Sequence, residues 1–103
     1  MIARSEALVA DFGCGTGLVG QALVNNKFEK ITGIDCSESM LHQAEKKNVY
    51  SCLNKFKLGG NEYMENFPNQ LKNRFDFVTA GDLINLANYD ENIFEQMLFA
   101  LRN

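Results

Sequence analysis

Short apolar runs alternate with amphipathic stretches along the chain. Four runs have the continuous or alternating apolar character of buried strands, at residues 7–10, 30–34, 53–58 and 75–80. Three helices are predicted, one after Gly17, one capped by Ser37 and one capped by Asp90. Their one-sided apolar positions are Leu18, Ala22 and Leu23; Met40, Leu41 and Ala44; and Ile93, Phe94, Met97, Leu98 and Leu101. This alternation predicts an α/β domain with parallel strands, right-handed crossovers and helices on both faces of the sheet.

Length and composition restrict the functions open to this sequence. The 103 residues are expected to form one domain, 1–103, and the net charge of -3 excludes a strongly basic nucleic-acid-binding surface. No apolar run approaches the roughly 18 residues of a membrane-spanning helix. The three cysteines, Cys14, Cys36 and Cys52, are widely spaced and indicate neither a disulfide framework nor a metal site. We therefore expect an intracellular, cytoplasmic protein.

Three alternating glycines follow the first predicted strand. Gly13, Gly15 and Gly17 lie between that strand and the first predicted helix. Glycine suits this position because the turn needs backbone angles that other residues avoid, and because a ligand has to approach the main chain. In a doubly wound sheet, the ends of the strands also form the ligand crevice. The segment is therefore predicted to bind a ligand.

Two classes of ligand compete for this loop. The spacing Gly15-x-Gly17-x-x-Gly20 fits the dinucleotide-binding pattern, which by itself is a weak signal. Asp11 argues against a dinucleotide because its charge would repel a pyrophosphate, whereas the ammonium and sulfonium of S-adenosylmethionine would be attracted. Asp35, at the end of the second strand, is expected to accept hydrogen bonds from ribose hydroxyls, which either cofactor would offer.

Three segments resemble motifs of the class I S-adenosylmethionine-dependent methyltransferases. Residues 11–17, D-F-G-C-G-T-G, resemble the first motif of that family, D-x-G-C-G-T-G. Residues 33–41, G-I-D-C-S-E-S-M-L, resemble G-h-D-x-S-x-x-M-L, in which h is apolar, and residues 75–83 resemble the fourth-strand motif F-D-x-V. Residues 18–20 and 49–50 are also similar, more loosely, to the methyltransferase-like proteins of the Williams–Beuren chromosomal region.

The resemblance implies a Rossmann-like sheet in the order 3-2-1-4, with S-adenosylmethionine as cofactor. It implies that Asp11 neighbours the ligand's amino group, that Asp35 binds the ribose, and that Asn61 occupies the adenine-reading position that is usually Asp. The other residues that it implies in cofactor binding are Gly13, Cys14, Gly15, Gly17, Cys36, Met40 and Ala80. Transfer of a methyl group to an unidentified nucleophilic acceptor is the implied reaction, and no catalytic base is assigned.

The chain departs from the family pattern at its C-terminal end, after the helix that follows the fourth strand. Residues 75–80 would then form an open, apolar sheet edge, which we expect more chain, a partner or self-association to cover. A non-catalytic methyltransferase-like module within a larger assembly is the alternative to an enzyme, and a nicotinamide-binding fragment is a third possibility. Asp82 and Asn85 follow the fourth strand, where capping and substrate contact are equally open roles.

Overall fold

The computed structural model describes residues 2–60, 63–65, 67–81 and 91–102. Four residues that the sequence singled out, Asn61, Asp82, Asn85 and Asp90, lie outside the described residues. Within the described part, the strands are β1 (Leu8–Phe12), β2 (Lys30–Asp35), β3 (Cys52–Lys55) and β4 (Phe77–Thr79). The helices there are α1 (Leu18–Asn25), α2 (Glu38–Lys46), α3 (Glu91–Ala100) and a short 3-10 turn, Asn69–Leu71.

The described strands form one parallel sheet in the order β3-β2-β1-β4, which confirms the predicted order and fold class. The strand β1 is central, and Asp11 pairs with Gly33 on one side and with Thr79 on the other. Because all described strands run in the same direction, their carboxyl ends lie at the same end of the sheet, which is called the carboxyl edge below. The glycine-rich loop and Asp35 lie there.

The two faces of the sheet are covered differently, because successive residues of a strand point to opposite sides. On one side a core cluster brings α3 against the sheet; its members are Ala10, Phe12, Ile34, Phe67, Leu71, Phe75 and Ala100. Val9, Asp11 and Ile31 are fully buried on the other side, where α1 and α2 lie. The predicted helices on both faces are therefore confirmed.

Several element boundaries differ from the sequence prediction. The first strand extends to Phe12, since Asp11 and Phe12 continue the pairing with β2. The third strand ends at Lys55 rather than at residue 58. The fourth is shorter than residues 75–80, because Phe75 pairs with the chain after α3 instead.

The buried faces of the helices were predicted less well than the strands. The third helix ends at Ala100, so Leu101 is not helical, and Phe94 and Leu98 are 43% and 48% exposed rather than part of the core. Its buried face consists of Ile93, Gln96 and Ala100. Leu18 in α1 is 73% exposed.

Among the described residues, no helix is long and apolar enough to cross a membrane.

Candidate cofactor-binding site

The glycine-rich loop folds back over the end of β2. Gly13, Gly15 and Gly17 have φ values of 69°, 52° and 98°, in the left-handed region that favours glycine. The backbone amides of Gly13 and Cys14 both donate to the Ile34 carbonyl oxygen, at 2.7 and 3.0 Å. The Gly17 amide donates to the Cys14 carbonyl oxygen at 2.9 Å and closes the turn into α1. The requirement for glycine predicted from the sequence is thus explained by the backbone.

Asp35 connects this loop to the start of α2. Its Oδ2 accepts a hydrogen bond from the Gly15 amide at 2.9 Å, and its Oδ1 accepts one from the Ser37 amide at 2.9 Å. Each carboxylate oxygen has a further lone pair, so the half-buried side chain can still accept hydrogen bonds from a ligand. A Cβ placed on Gly15 would meet nothing nearer than the Gly13 carbonyl oxygen, at 3.9 Å. The space beside Gly15 is therefore open.

Asp11 lies beneath the loop and is fully buried. Its Oδ2 accepts a hydrogen bond from the Tyr50 hydroxyl at 2.7 Å, and its Oδ1 accepts one from the Thr79 hydroxyl at 2.9 Å. Burial raises the pKa of Asp11, and the nearby charge of Asp35 adds to this, while the two hydroxyl donors act in the opposite direction. The carboxylate is thus held inside the sheet–helix layer, and its contact with a ligand stays a prediction.

Neither Tyr50 nor Thr79 was predicted from the sequence as a partner of Asp11. Tyr50 lies in the segment before β3, and Thr79 ends β4, so their side chains reach Asp11 from opposite sides of β1. The signal that could have revealed Tyr50 is the pair Gly20 and Gly33, because both glycines leave room for its ring. No comparable signal in the sequence marks Thr79.

The remaining predicted residues differ in exposure. Cys14 is buried, and burial followed by the charges of Asp11 and Asp35 raises its pKa to about 12, so the thiol stays protonated and is a poor nucleophile. Cys36 and Met40 are exposed around the start of α2, where the Met40 amide donates to the capping Ser37 hydroxyl at 3.3 Å. Ala80 follows β4 and is half-buried.

The loop, Asp35 and the first turn of α2 are thus brought together at the carboxyl edge of the sheet. This is the position at which doubly wound sheets bind ligands. Among the described residues, no group of three or more His, Cys, Asp or Glu side chains is placed to hold a metal ion. What the arrangement offers a ligand is the open space beside Gly15, one half-buried carboxylate and the exposed start of a helix.

Comparisons with known proteins identify the family to which this chain belongs. A family described as "Methyltransferase domain" matches residues 9–103. Methyltransferase-like protein 27 of Homo sapiens is 42% identical over 54 residues, which cover 52% of this chain and 22% of that protein.

Solved structures share the fold. An S-adenosylmethionine-dependent methyltransferase from Mesorhizobium loti matches with a TM-score of 0.59 at 18% identity, covering 99% of this chain and 45% of that one. The [4+2]-cyclase SpnF matches with a TM-score of 0.65 at 20% identity, covering 93% and 35%. This chain therefore spans less than half the length of each of these three proteins. The chain belongs to the methyltransferase-domain family of class I S-adenosylmethionine-dependent proteins, which confirms the resemblance and, for the family, the expected cofactor.

Proposed function

We propose that this domain binds S-adenosyl-L-methionine at the glycine-rich loop and takes part in transferring its methyl group to a nucleophilic acceptor. The observation that carries the proposal is the double role of Asp35. This half-buried carboxylate holds the Gly15 amide and the Ser37 amide at 2.9 Å each, beside the open space at Gly15. Loop and helix start are therefore organised in advance around one acceptor group.

The individual contacts that we propose follow from this arrangement. The ribose hydroxyls would donate to the free lone pairs of Asp35, and the methionine part would lie along Gly13, Gly15 and Gly17. Adenine would lie against the exposed start of α2, which carries Cys36 and Met40. Cys14 and Ala80 would border the site, and Asn61 would accept a hydrogen bond from the adenine amino group.

Asp11 would act on the cofactor through its charge rather than as an exposed contact, since its side chain is fully buried beneath the loop. Opposite charges interact more strongly across a protein interior than across water, so a buried carboxylate still favours a cationic ligand nearby. The same charge disfavours a pyrophosphate. This is the support for S-adenosylmethionine over NAD as the ligand.

The bound cofactor would supply an electrophilic methyl group: the acceptor's lone pair would bond to the methyl carbon as the carbon–sulfur bond breaks, and the sulfur would keep that electron pair in S-adenosylhomocysteine. Because the sulfonium is a good leaving group, the protein's contribution would be alignment of the two reactants and exclusion of water. No described side chain is assigned as a general base.

A binding module without activity is the second candidate function, because a fold of this kind does not by itself imply catalysis. Calorimetric titration with S-adenosylmethionine, S-adenosylhomocysteine and NAD tests both. Binding of the first two and not of NAD is expected. Binding of NAD alone would contradict the proposal, and binding of none of the three would favour a structural module.

We also propose that β4 is completed by further chain, by a partner or by a second copy. The strand β4 is outermost in the described sheet, and Phe77 on it is 50% exposed. An apolar strand edge templates pairing with another strand.

A further inference from the structure

The Tyr50 side chain lies across the sheet, beneath the glycine-rich loop (residues 13–17), which is called the cofactor loop below. The amide of the next residue, Ser51, donates to the Ile31 carbonyl oxygen at 2.8 Å, which fixes the backbone beside β2. From there the ring passes over Gly33, and the hydroxyl reaches Asp11 on β1, the register partner of Gly33. One side chain thus connects the segment before β3 to the central strand.

The ring lies in a slot that exists because two residues are glycine. A Cβ on Gly20 would lie 2.5 Å from both Cζ and Oη of Tyr50. A Cβ on Gly33 would lie 3.0 Å from Cδ1 and Cε1 of Tyr50 and 2.7 Å from Cδ2 of Leu53, which borders the slot there. A separation of 2.5 Å is too short for non-bonded heavy atoms, which are in favourable contact at about 3.5–4.0 Å. The third glycine of the dinucleotide-like spacing is therefore explained by packing against Tyr50.

The Tyr50 hydroxyl donates a hydrogen bond to the carboxylate of Asp11. Burial, the hydrogen bond to Asp11 and the charge of Asp11 all raise the pKa of Tyr50, while a backbone hydrogen bond from Gly20 lowers it. The hydroxyl therefore stays protonated at physiological pH and donates to Oδ2 of Asp11 at 2.7 Å. The opposite oxygen, Oδ1, is held by Thr79.

These contacts place Tyr50 at both ends of the cofactor loop. Asp11 lies just before the loop, and Gly17 and Gly20 lie at its exit and in the first turn of α1. A Cβ on Gly17 would lie 3.4 Å from Cε2 of the same ring. The ring and hydroxyl therefore set the distance between the strand that enters the loop and the helix that leaves it.

We propose that Tyr50 is a positioning residue of the cofactor site, which acts by packing in the Gly20–Gly33 slot and hydrogen-bonding Asp11, and so holds the loop in its binding conformation. The expected effect on ligand affinity rests on the proposed binding of S-adenosylmethionine. The effect of Tyr50 on the conformation of the loop does not depend on it. Tyr50 itself does not need to touch the ligand.

Tyr50→Phe tests the hydroxyl while it keeps the ring. In the ligand-free protein, we expect the Gly15 and Gly17 amides to exchange hydrogen roughly tenfold faster than in the parent, because one hydrogen bond to a charged group is worth about 1.5 kcal/mol or more. The backbone amide of Gln96 in α3 serves as the internal reference, and its exchange rate should not change. Unchanged exchange at both loop amides would overturn the proposal whether or not a ligand binds.

Affinity for S-adenosylhomocysteine provides the second measurement, made at a temperature at which circular dichroism shows each variant fully folded. A general loss of stability does not alter the affinity under that condition. Tyr50→Phe should bind roughly tenfold more weakly. Tyr63→Phe is the matched control, since no hydrogen bond of the Tyr63 hydroxyl is found among the described residues, and it should bind like the parent. Equal affinity of Tyr50→Phe and parent would refute the positioning role, whereas a parent that does not bind contradicts the proposed function instead.

A size exchange tests the slot. Gly20→Ala should destabilise the parent, and Tyr50→Leu in the same chain should recover part of that stability because the shorter side chain leaves room for the new methyl group. The double variant should still show the fast Gly15 exchange, since Asp11 has lost its phenol donor. If the double variant lost as much stability as Gly20→Ala and Tyr50→Leu lose together, the ring and Gly20 would not share a slot.

Discussion

The Gln96 side chain accepts a hydrogen bond from the Gly59 amide at 2.8 Å, which fastens α3 to the turn after β3. Gln96 is fully buried, and its amide group also donates to the Tyr63 carbonyl oxygen at 2.7 Å. One turn earlier in the helix, Asn92 donates to the Gly60 carbonyl oxygen at 2.8 Å. The third helix thus holds the residues on both sides of Asn61, the position predicted to read adenine.

Replacing Gln96 by Leu should destabilise the domain. The change removes the partner of the buried Gly59 amide, at a cost of about 1–3 kcal/mol, and the partner of the half-buried Tyr63 carbonyl, which water can partly replace. Urea denaturation should show a loss of roughly 1–4 kcal/mol. Glu95→Gln, on the exposed side of the same helix, should change stability little. A Gln96→Leu variant as stable as the parent would contradict the role of this amide.

Replacing Asp35 by Ala should weaken cofactor binding roughly tenfold to a hundredfold, the equivalent of about 1.5–3 kcal/mol for a hydrogen bond to a charged group. The change removes the proposed ribose acceptor and also the acceptor for the Gly15 and Ser37 amides. Titration with S-adenosylhomocysteine measures it. Glu38→Ala removes one negative charge nearby from an exposed residue and should leave the affinity close to that of the parent. Tight binding by Asp35→Ala would exclude the ribose assignment.

Gly15→Val should abolish binding while most of the fold persists. The φ of 52° at Gly15 costs a residue with a Cβ about 1–2 kcal/mol, and the added side chain would enter the open space that the ligand is proposed to occupy. Circular dichroism and titration on the same sample separate these two effects. Retained affinity in a folded variant would show that the ligand does not approach the loop at Gly15.

Thr79→Val should destabilise the domain more at pH 8 than at pH 5. The change removes the donor to Oδ1 of Asp11, a bond that lowers the Asp11 pKa, and so raises further a pKa that burial already holds above its ordinary value. A carboxyl group with a raised pKa in the folded state contributes stability below its unfolded pKa, and this is lost as the pH rises through the folded pKa. Urea denaturation should show a loss of about 1–3 kcal/mol at pH 8 and less at pH 5. Equal losses at the two pH values would show that the Asp11 charge is not involved.

The sequence predicted those features of this site that depend on local pattern. The loop glycines satisfy a local backbone requirement, and Asp35 was singled out because it directly follows an apolar strand, although its contact with the Gly15 amide, 20 residues away, was not predicted. Gln96 was not predicted, because Gln is usually exposed and its partner Gly59 lies 37 residues away. Tyr50 lies 39 residues from Asp11, so its role became visible only once the strands were paired.

The start of a parallel pairing is present on the outer side of β4. The Phe75 amide donates to the Ala100 carbonyl oxygen at 3.0 Å, and the Arg102 amide donates to the Phe75 carbonyl oxygen at 2.9 Å. Because alternate residues of a strand hydrogen-bond to opposite sides, Phe77 presents the next outward backbone groups, and these have no strand partner among the described residues. The edge that the sequence predicted is therefore partly paired at its beginning and open at Phe77.

Asp76 does not protect this edge, although it is the one charged residue in the sequence from 75 to 80. Its side chain is only 5% exposed, accepts a hydrogen bond from the Leu8 amide at 2.9 Å, and forms a 2.8 Å ion pair with Arg102. Phe77 is half-exposed and packs edge-on against Phe28, with 6.0 Å between the ring centroids. The open part of the edge is therefore apolar, which favours strand pairing with another chain.

We accordingly predict that the 103-residue chain self-associates through this edge at micromolar concentration. Sedimentation velocity should show a concentration-dependent species larger than the monomer, and Phe77→Lys should abolish it because a charged edge side chain opposes strand pairing. Phe94→Lys, at an exposed position of α3, is the matched control and should associate like the parent. At low concentration the Phe77 amide should exchange fast, while the Asp76 amide, which donates to the Leu8 carbonyl oxygen at 2.8 Å, should exchange slowly. A monomer at every concentration with a strongly protected Phe77 amide would show that the chain closes its own edge, and the requirement for a partner would have to be abandoned.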